Sequence, residues 1–121
     1  MSIATSEQAV VEKVTPRLFI GGEWREASGG GSFAVEDPST GEELCQVADA
    51  TPEDGMAALD AAVAAQAEWA AHPPRERGEI LRRAFEALND RADELALLMT
   101  LEMGKPLAES KAEITYAAEF F

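Results

Sequence analysis

Cysteine, histidine and basic residues are all scarce in this chain. Among 121 residues there is one cysteine and one histidine, and 10 lysines and arginines stand against 23 acidic residues. The lone Cys45 excludes an intrachain disulfide and a cysteine zinc cluster. The formal net charge of −13 repels phosphate backbones and anionic lipid headgroups, so neither nucleic acid nor a membrane surface is an expected partner.

Long uncharged apolar runs are also missing. No stretch approaches membrane-spanning length without charges. Residues 1–15 lack a basic start and a continuous apolar segment, so we expect them to form a flexible tail and not a signal peptide. These features predict a soluble, cytoplasmic protein. Hydrophobic residues make up 46% of the chain, but many are alanines that bury little area, which predicts a thin core.

The first half of the sequence after the tail is predicted to be mostly β. Gly21-Gly22 is a tight-turn signal between two short extended segments, and the proline and glycine of residues 37–41 predict a second reverse turn. Two strand pairs are therefore expected, 17–20 with 23–25 and 33–36 with 42–47.

About four helices are predicted to follow. Thr51 supplies an N-cap hydroxyl before Pro52 and two acids, and the first helix carries an apolar stripe of Met56, Leu59, Val63, Ala67 and Ala70 until His72-Pro73-Pro74 ends it. The second helix is expected over about 75–88 and the third over 91–103, where the centre is apolar on almost every side and requires cover. The fourth starts at Pro106 and places Leu107, Ile114, Ala118 and Phe121 on one face.

Two features near the end of the sequence have structural interpretations. Gly104 is expected to take a left-handed backbone conformation that ends the third helix. Lys105, beside that helix end, is explained by the helix dipole, although an anion-binding role is an alternative. The sequence ends within the fourth helix with no capping residue after it, which predicts that residues 16–121 are the front of a longer protein.

Three segments together resemble the N-terminal part of the NAD(P)-dependent aldehyde dehydrogenase superfamily. They are LFIGGEW at 18–24, DPSTGEELCQVADAT at 37–51 and LMTLEMGKPLAESKAEITYAAEFF at 98–121. The third is most similar to succinate-semialdehyde dehydrogenases. The resemblance implies an α/β enzyme in which residues 16–121 form an incomplete N-terminal part of the dinucleotide-binding domain.

The same resemblance implies a chemistry whose residues lie elsewhere. A cysteine thiolate attacks the aldehyde, a glutamate activates water, an asparagine helps hold the oxyanion and NAD or NADP accepts a hydride. In the family these groups lie beyond the position of Phe121. We therefore expect no catalytic, cofactor-binding or metal-binding residue here and no NAD or NADP binding by this chain alone. The full-length enzyme is expected to act on a small aldehyde, succinate semialdehyde, and to be a homo-oligomer.

Several residues have both a functional and a structural interpretation. Cys45 lies in a predicted strand with no neighbouring cation or helix start to activate its thiol, so it is interpreted as a buried structural residue. Residues 29–31 lack the flanking strand and helix of a phosphate-binding loop. His72 is interpreted as part of a surface corner before two prolines.

Further alternatives come from the resemblance. Many family members hold a structural monovalent cation, and the matching donors here would be the Glu36 carbonyl and the Glu102 carboxylate, whereas the simpler interpretation is a solvated glutamate. Tyr116 and Phe120 lie four apart on a helix that passes near the substrate entrance in the family, but core packing against parts of the protein outside this sequence explains them equally well.

A second function class also fits the sequence. The chain could be a self-standing acidic helical interaction module derived from such an enzyme. Four apolar residues expected to be exposed would then contact a partner: Leu107, Ile114, Phe120 and Phe121. The uncapped ending favours the enzyme.

Overall fold

A computed structural model describes residues 5–121. The predicted two strand pairs followed by four helices are confirmed, and a further helix precedes them. The elements are α1 Thr5–Val11, β1 Leu18–Ile20, β2 Glu23–Arg25, β3 Ser32–Glu36, β4 Glu43–Ala48, α2 Pro52–Ala71, α3 Pro74–Asp90, α4 Ala92–Met103 and α5 Leu107–Ala118.

Helix α1 differs from the flexible tail expected over residues 1–15, of which residues 1–4 lie outside the described part. Val10 is buried, and α1 packs on α4. Lys13 Nζ lies 3.5 Å from Glu94 Oε2. A seven-residue helix is unstable by itself, so its order comes from contact with the apolar surface of α4.

The chain divides into two compact units. One contains α1, α3, α4, α5 and the turn between β3 and β4, and the other contains β1, β2, α2 and most of β3 and β4. Each unit is therefore built from segments that are distant in the sequence.

The unit that contains α2 is organised by two antiparallel hairpins. Leu18 pairs with Arg25 and Ile20 with Glu23, and both turn glycines between them have positive φ, 62° and 85°. This is the turn that the Gly-Gly pair predicts. Strands β3 and β4 form the second sheet. Beyond β4, the N–H of Asp49 donates to the Gly31 carbonyl over 2.9 Å.

The unit that contains α4 has the clearer core. Helix α5 packs against both α4 and α3, and α1 also packs on α4. The apolar centre of α4 is thus covered in part, because Ala96 and Leu101 are buried whereas Leu95, Leu97 and Leu98 are half-buried. A hydroxyl pair lies inside this helical contact, because the Thr100 and Ser110 oxygens are 2.8 Å apart and Ser110 is fully buried. The buried apolar residues of this unit are Val10, Ala96, Leu101, Ile114 and Ala118.

Helix α5 is shorter than predicted. It ends at Ala118, and Phe120 and Phe121 follow in a turn whose N–H groups donate to Ala117 and Ala118. Ile114 and Ala118 are buried as the stripe predicts, but Leu107 and Phe121 are exposed. Leu107 is thus an exposed residue of the stripe, and the prediction is wrong at Phe121, which lies beyond the end of the helix.

Candidate functional site

The most highly connected polar group in the described residues lies at the start of α2. Thr51 is the N-cap, and its hydroxyl accepts from the Asp54 N–H over 3.3 Å. The Asp54 carboxylate in turn accepts from the Thr51 N–H over 3.0 Å. This reciprocal capping box confirms the predicted N-cap and starts α2 at Pro52.

Asp54 also joins α2 to the loop after β2. Its carboxylate accepts from the Ser28 N–H over 3.0 Å and from Arg25 Nη2 over 3.0 Å. Asp54 is only 1% exposed, whereas the Arg25 side chain is 42% exposed. The Thr51 and Ser28 N–H groups, followed by the Arg25 guanidinium, hold the pKa of Asp54 well below its usual range.

The Asp54 carboxylate holds the backbone at Thr51 and Ser28 in place, and it is not suited to proton transfer. A carboxylate whose oxygens already accept several hydrogen bonds stays ionised and is a poor general acid or base near neutral pH. The sequence places Asp54 in the first turn of α2, but it does not indicate the bond to Arg25. The Thr-x-x-Asp pattern could have revealed the capping box, but a contact across 29 positions has no local sequence signal.

The corner between α4 and α5 is the second organised site. Gly104 has φ 73°, which confirms the predicted left-handed conformation, and its N–H donates to the Thr100 carbonyl over 2.8 Å. Helix α5 begins at Leu107, one residue later than predicted, because Pro106 has an extended ψ of 138° and is the N-cap. Lys105 is engaged by the Glu113 carboxylate, which neutralises it locally.

Cys45 lies within a strand, and His72 lies at the end of a helix. Cys45 is in β4 and is half-buried, not fully buried as expected. His72 is the C-cap of α2, and its ring centroid lies 6.3 Å from that of Trp69. The corner predicted at His72 is confirmed.

The glycine run 29–31 is a connection between β2 and β3. Gly30 has φ 67°, and its N–H donates to the Ala27 carbonyl over 2.8 Å. A strand follows it where a phosphate-binding loop would be followed by a helix, so the geometry agrees with a connecting loop.

The remaining candidates lie on the surface. Glu36 and Glu102 are exposed, and residues 5–121 contain no group of three or more histidine, cysteine, aspartate or glutamate residues able to hold a metal ion. Tyr116 and Phe120 form an edge-to-face pair with centroids 5.0 Å apart, and they are 68% and 72% exposed. Core packing within this chain therefore does not explain them. No helix in the described part of the chain is long and apolar enough to cross a membrane.

Comparison with known proteins identifies the family of this chain. The aldehyde dehydrogenase family matches residues 24–121. The chain belongs to this family. It is 60% identical over 77 residues to a succinate-semialdehyde dehydrogenase of Paenarthrobacter nicotinovorans, covering 64% of this chain and 17% of that protein.

Two further members show the same relationship. An NADP(+) succinate-semialdehyde dehydrogenase of Escherichia coli is 46% identical over 104 residues, covering 86% of this chain and 22% of that protein. The crystal structure of a succinate-semialdehyde dehydrogenase from Burkholderia pseudomallei superposes with a TM-score of 0.84 at 45% identity, over 88% of this chain and 22% of that one. The chain therefore has an aldehyde dehydrogenase fold and spans about a fifth of the length of these relatives.

Proposed function

We propose that this chain is the N-terminal segment of an aldehyde dehydrogenase that oxidises succinate semialdehyde. The reaction takes the aldehyde and water to the carboxylic acid, transfers a hydride to NAD+ or NADP+ and releases a proton. The 46% identity over 104 residues to the Escherichia coli enzyme carries this proposal. The similarity in fold to the Burkholderia pseudomallei enzyme supports it.

Within that enzyme, residues 16–121 contribute an incomplete N-terminal part of the dinucleotide-binding domain. Asp54 holds the backbone between β2 and α2, and Gly104 sets the backbone at the corner between α4 and α5. They support a scaffolding role in which the nucleophile, the base and the nucleotide site are supplied by other parts of the protein. The chain alone is then inactive and binds neither NAD nor NADP.

Two properties of the whole protein belong to the same proposal. We expect the full-length enzyme to be a homo-oligomer in the cytoplasm, as its family resemblance suggests. Light scattering of the purified full-length enzyme measures the first property, and fractionation of the native cells measures the second.

The deciding experiment determines the reading frame beyond the codon for Phe121 and assays the product. We expect the frame to continue into a catalytic cysteine, and the full-length protein to reduce NAD or NADP with succinate semialdehyde. A transcript that stops after Phe121 would instead support the self-standing interaction module. A full-length protein that prefers an unrelated aldehyde would refute the substrate and leave the family unchanged.

A further inference from the structure

Helix α1 and the turn after it form a small ordered segment at the start of the described chain. Val10 is 9% exposed, and it is the one buried residue among residues 6–14. After the helix the chain enters a turn in which the Val14 N–H donates to the Val11 carbonyl over 3.0 Å. Residues 5–14, which we call the strap, are thus ordered against α4 with a single buried apolar anchor.

An ion pair provides a second attachment of the strap to α4. Lys13 Nζ lies 3.5 Å from Glu94 Oε2, and the two side chains are 62% and 24% exposed. Glu94 also accepts a hydrogen bond from Arg91 Nη2 over 3.0 Å. Because the lysine is mostly in solvent, the pair adds only a small stabilisation. We call this ion pair the latch.

The first turn of α4 keeps the strap and α5 on separate contacts. Asp93 and Glu94 are adjacent, so their side chains leave the helix about 100° apart. Asp93 Oδ1 lies 2.6 Å from Lys111 Nζ of α5, whereas Glu94 is paired with Lys13 of the strap. The latch therefore opens without breaking the ion pair between α4 and α5.

Docking of the strap and formation of its helix are one event. A seven-residue helix does not hold its shape in water by itself, so a strap that leaves α4 also loses its helical hydrogen bonds. Helix α5, by contrast, has twelve residues and buries Ser110, Ile114 and Ala118. Opening the strap consequently costs less free energy than separating α4 from α5.

We propose that residues 5–14 undock from α4 and unfold as one unit while α4 and α5 stay packed, with Val10 as the anchor and the Lys13–Glu94 pair as the latch. Undocking uncovers the side of α4 that carries Glu94 and, one turn later, the half-buried Leu98. The strap lies wholly within the described residues, so its behaviour is independent of the polypeptide that follows Phe121 and goes beyond the proposed function.

Hydrogen exchange tests whether the strap opens separately. The protein is purified as its gene encodes it, and deuterium uptake is followed by mass spectrometry and corrected for intrinsic rates. Protection in residues 5–14 should be about tenfold or more lower than in α4 and α5, yet higher than in the free peptide of the same sequence. Equal protection of the strap, α4 and α5 would overturn separate opening, and protection equal to that of the free peptide would overturn docking.

The anchor is tested by shortening its side chain. Val10→Ala should speed exchange in the strap by about threefold or more, because buried apolar surface is lost. Protection of α5 should stay at the parent value, which also shows that the variant is folded. A strap that exchanges at the parent rate in Val10→Ala would refute Val10 as the anchor.

The latch has a matched pair of variants. Lys13→Gln should speed exchange in the strap by about two- to fivefold, and this difference from the parent should shrink in 1 M sodium chloride, roughly as expected when salt screens an exposed pair. Lys111→Gln, which removes the ion pair at the adjacent Asp93, should leave exchange in the strap unchanged. Equal effects of the two variants on the strap, or no effect of Lys13→Gln, would overturn the latch.

Discussion

Gly104 lies so close to Pro38 that a Cβ atom on Gly104 would be 2.9 Å from Pro38 Cγ. The turn between β3 and β4 therefore approaches the corner between α4 and α5 at a place where only a hydrogen fits. The left-handed φ of Gly104 favours glycine at this position, and the contact with Pro38 favours glycine independently.

Gly104→Val should destabilise the full-length enzyme by roughly 1–3 kcal/mol, because a β-branched side chain is forced into a left-handed conformation and against the proline ring. Thermal and urea denaturation measure the loss. Pro38→Ala in the same protein should recover the part due to the clash and not the part due to φ.

Lys105→Ala is the control for that corner. It removes an ion pair with the half-exposed Glu113, and surface pairs contribute at most about 1 kcal/mol. Michaelis constants for aldehyde and nucleotide should be unchanged. A stable Lys105→Ala enzyme with lost affinity for nucleotide or substrate would show that Lys105 binds an anion.

The Asp54 network predicts a pH dependence with a definite sign. The folded pKa of Asp54 is lowered, so its contribution to stability is present above the unfolded value near 3.9 and is lost as pH falls below it. Asp54→Asn should lower the urea midpoint at pH 7, and the difference from the parent should shrink progressively below about pH 4.

Arg25→Gln is the matched variant for this network. It keeps the two N–H donors of Thr51 and Ser28, which are the larger causes of the pKa shift, so it should move the midpoint less than Asp54→Asn does. A difference between parent and Asp54→Asn that is constant from pH 7 to pH 2 would contradict an ionised Asp54 as the source of the effect.

The 121-residue chain should reduce no NAD or NADP with succinate semialdehyde. The measurement is absorbance at the nicotinamide band with chain purified away from any full-length enzyme. Cys45→Ser should leave the turnover of the full-length enzyme nearly unchanged, since Cys45 is a half-buried strand residue. A loss of several orders of magnitude would identify Cys45 as the nucleophile.

The isolated chain should also fold incompletely. Its helices should give a clear circular dichroism signal, but large apolar side chains such as Val63, Tyr116 and Phe120 are exposed. We therefore expect broad thermal unfolding and a tendency to associate. Sharp, cooperative unfolding of a monomer would show that the chain has a complete core of its own.

Local signals in the sequence were sufficient for most element boundaries. Gly21-Gly22, Thr51-Pro52 and Gly104 each specify a backbone conformation through a few neighbouring atoms, and each was found where the sequence places it. Helix α1 could not be predicted in this way, because its order depends on packing against α4, more than 80 residues away.

Burial was harder to predict than secondary structure. The stripe of Met56, Leu59 and Val63 has the spacing of a core face, yet these residues are exposed. Periodicity indicates which side of a helix is apolar, but it does not indicate which polypeptide covers that side. Similarly, nothing next to Arg25 in the sequence indicates its bond to Asp54.

The hydroxyl pair of Thr100 and Ser110 favours one register between α4 and α5. Sliding one helix along the other by one turn would move its side chains by about 5.4 Å. Such a slip would separate the two oxygens, which are 2.8 Å apart, and leave the buried Ser110 hydroxyl without its partner. Leaving that hydroxyl unpaired costs about 1–3 kcal/mol, which disfavours such a slip. Together with the ion pair of Lys111 with Asp93, this contact favours the observed alignment of α4 and α5.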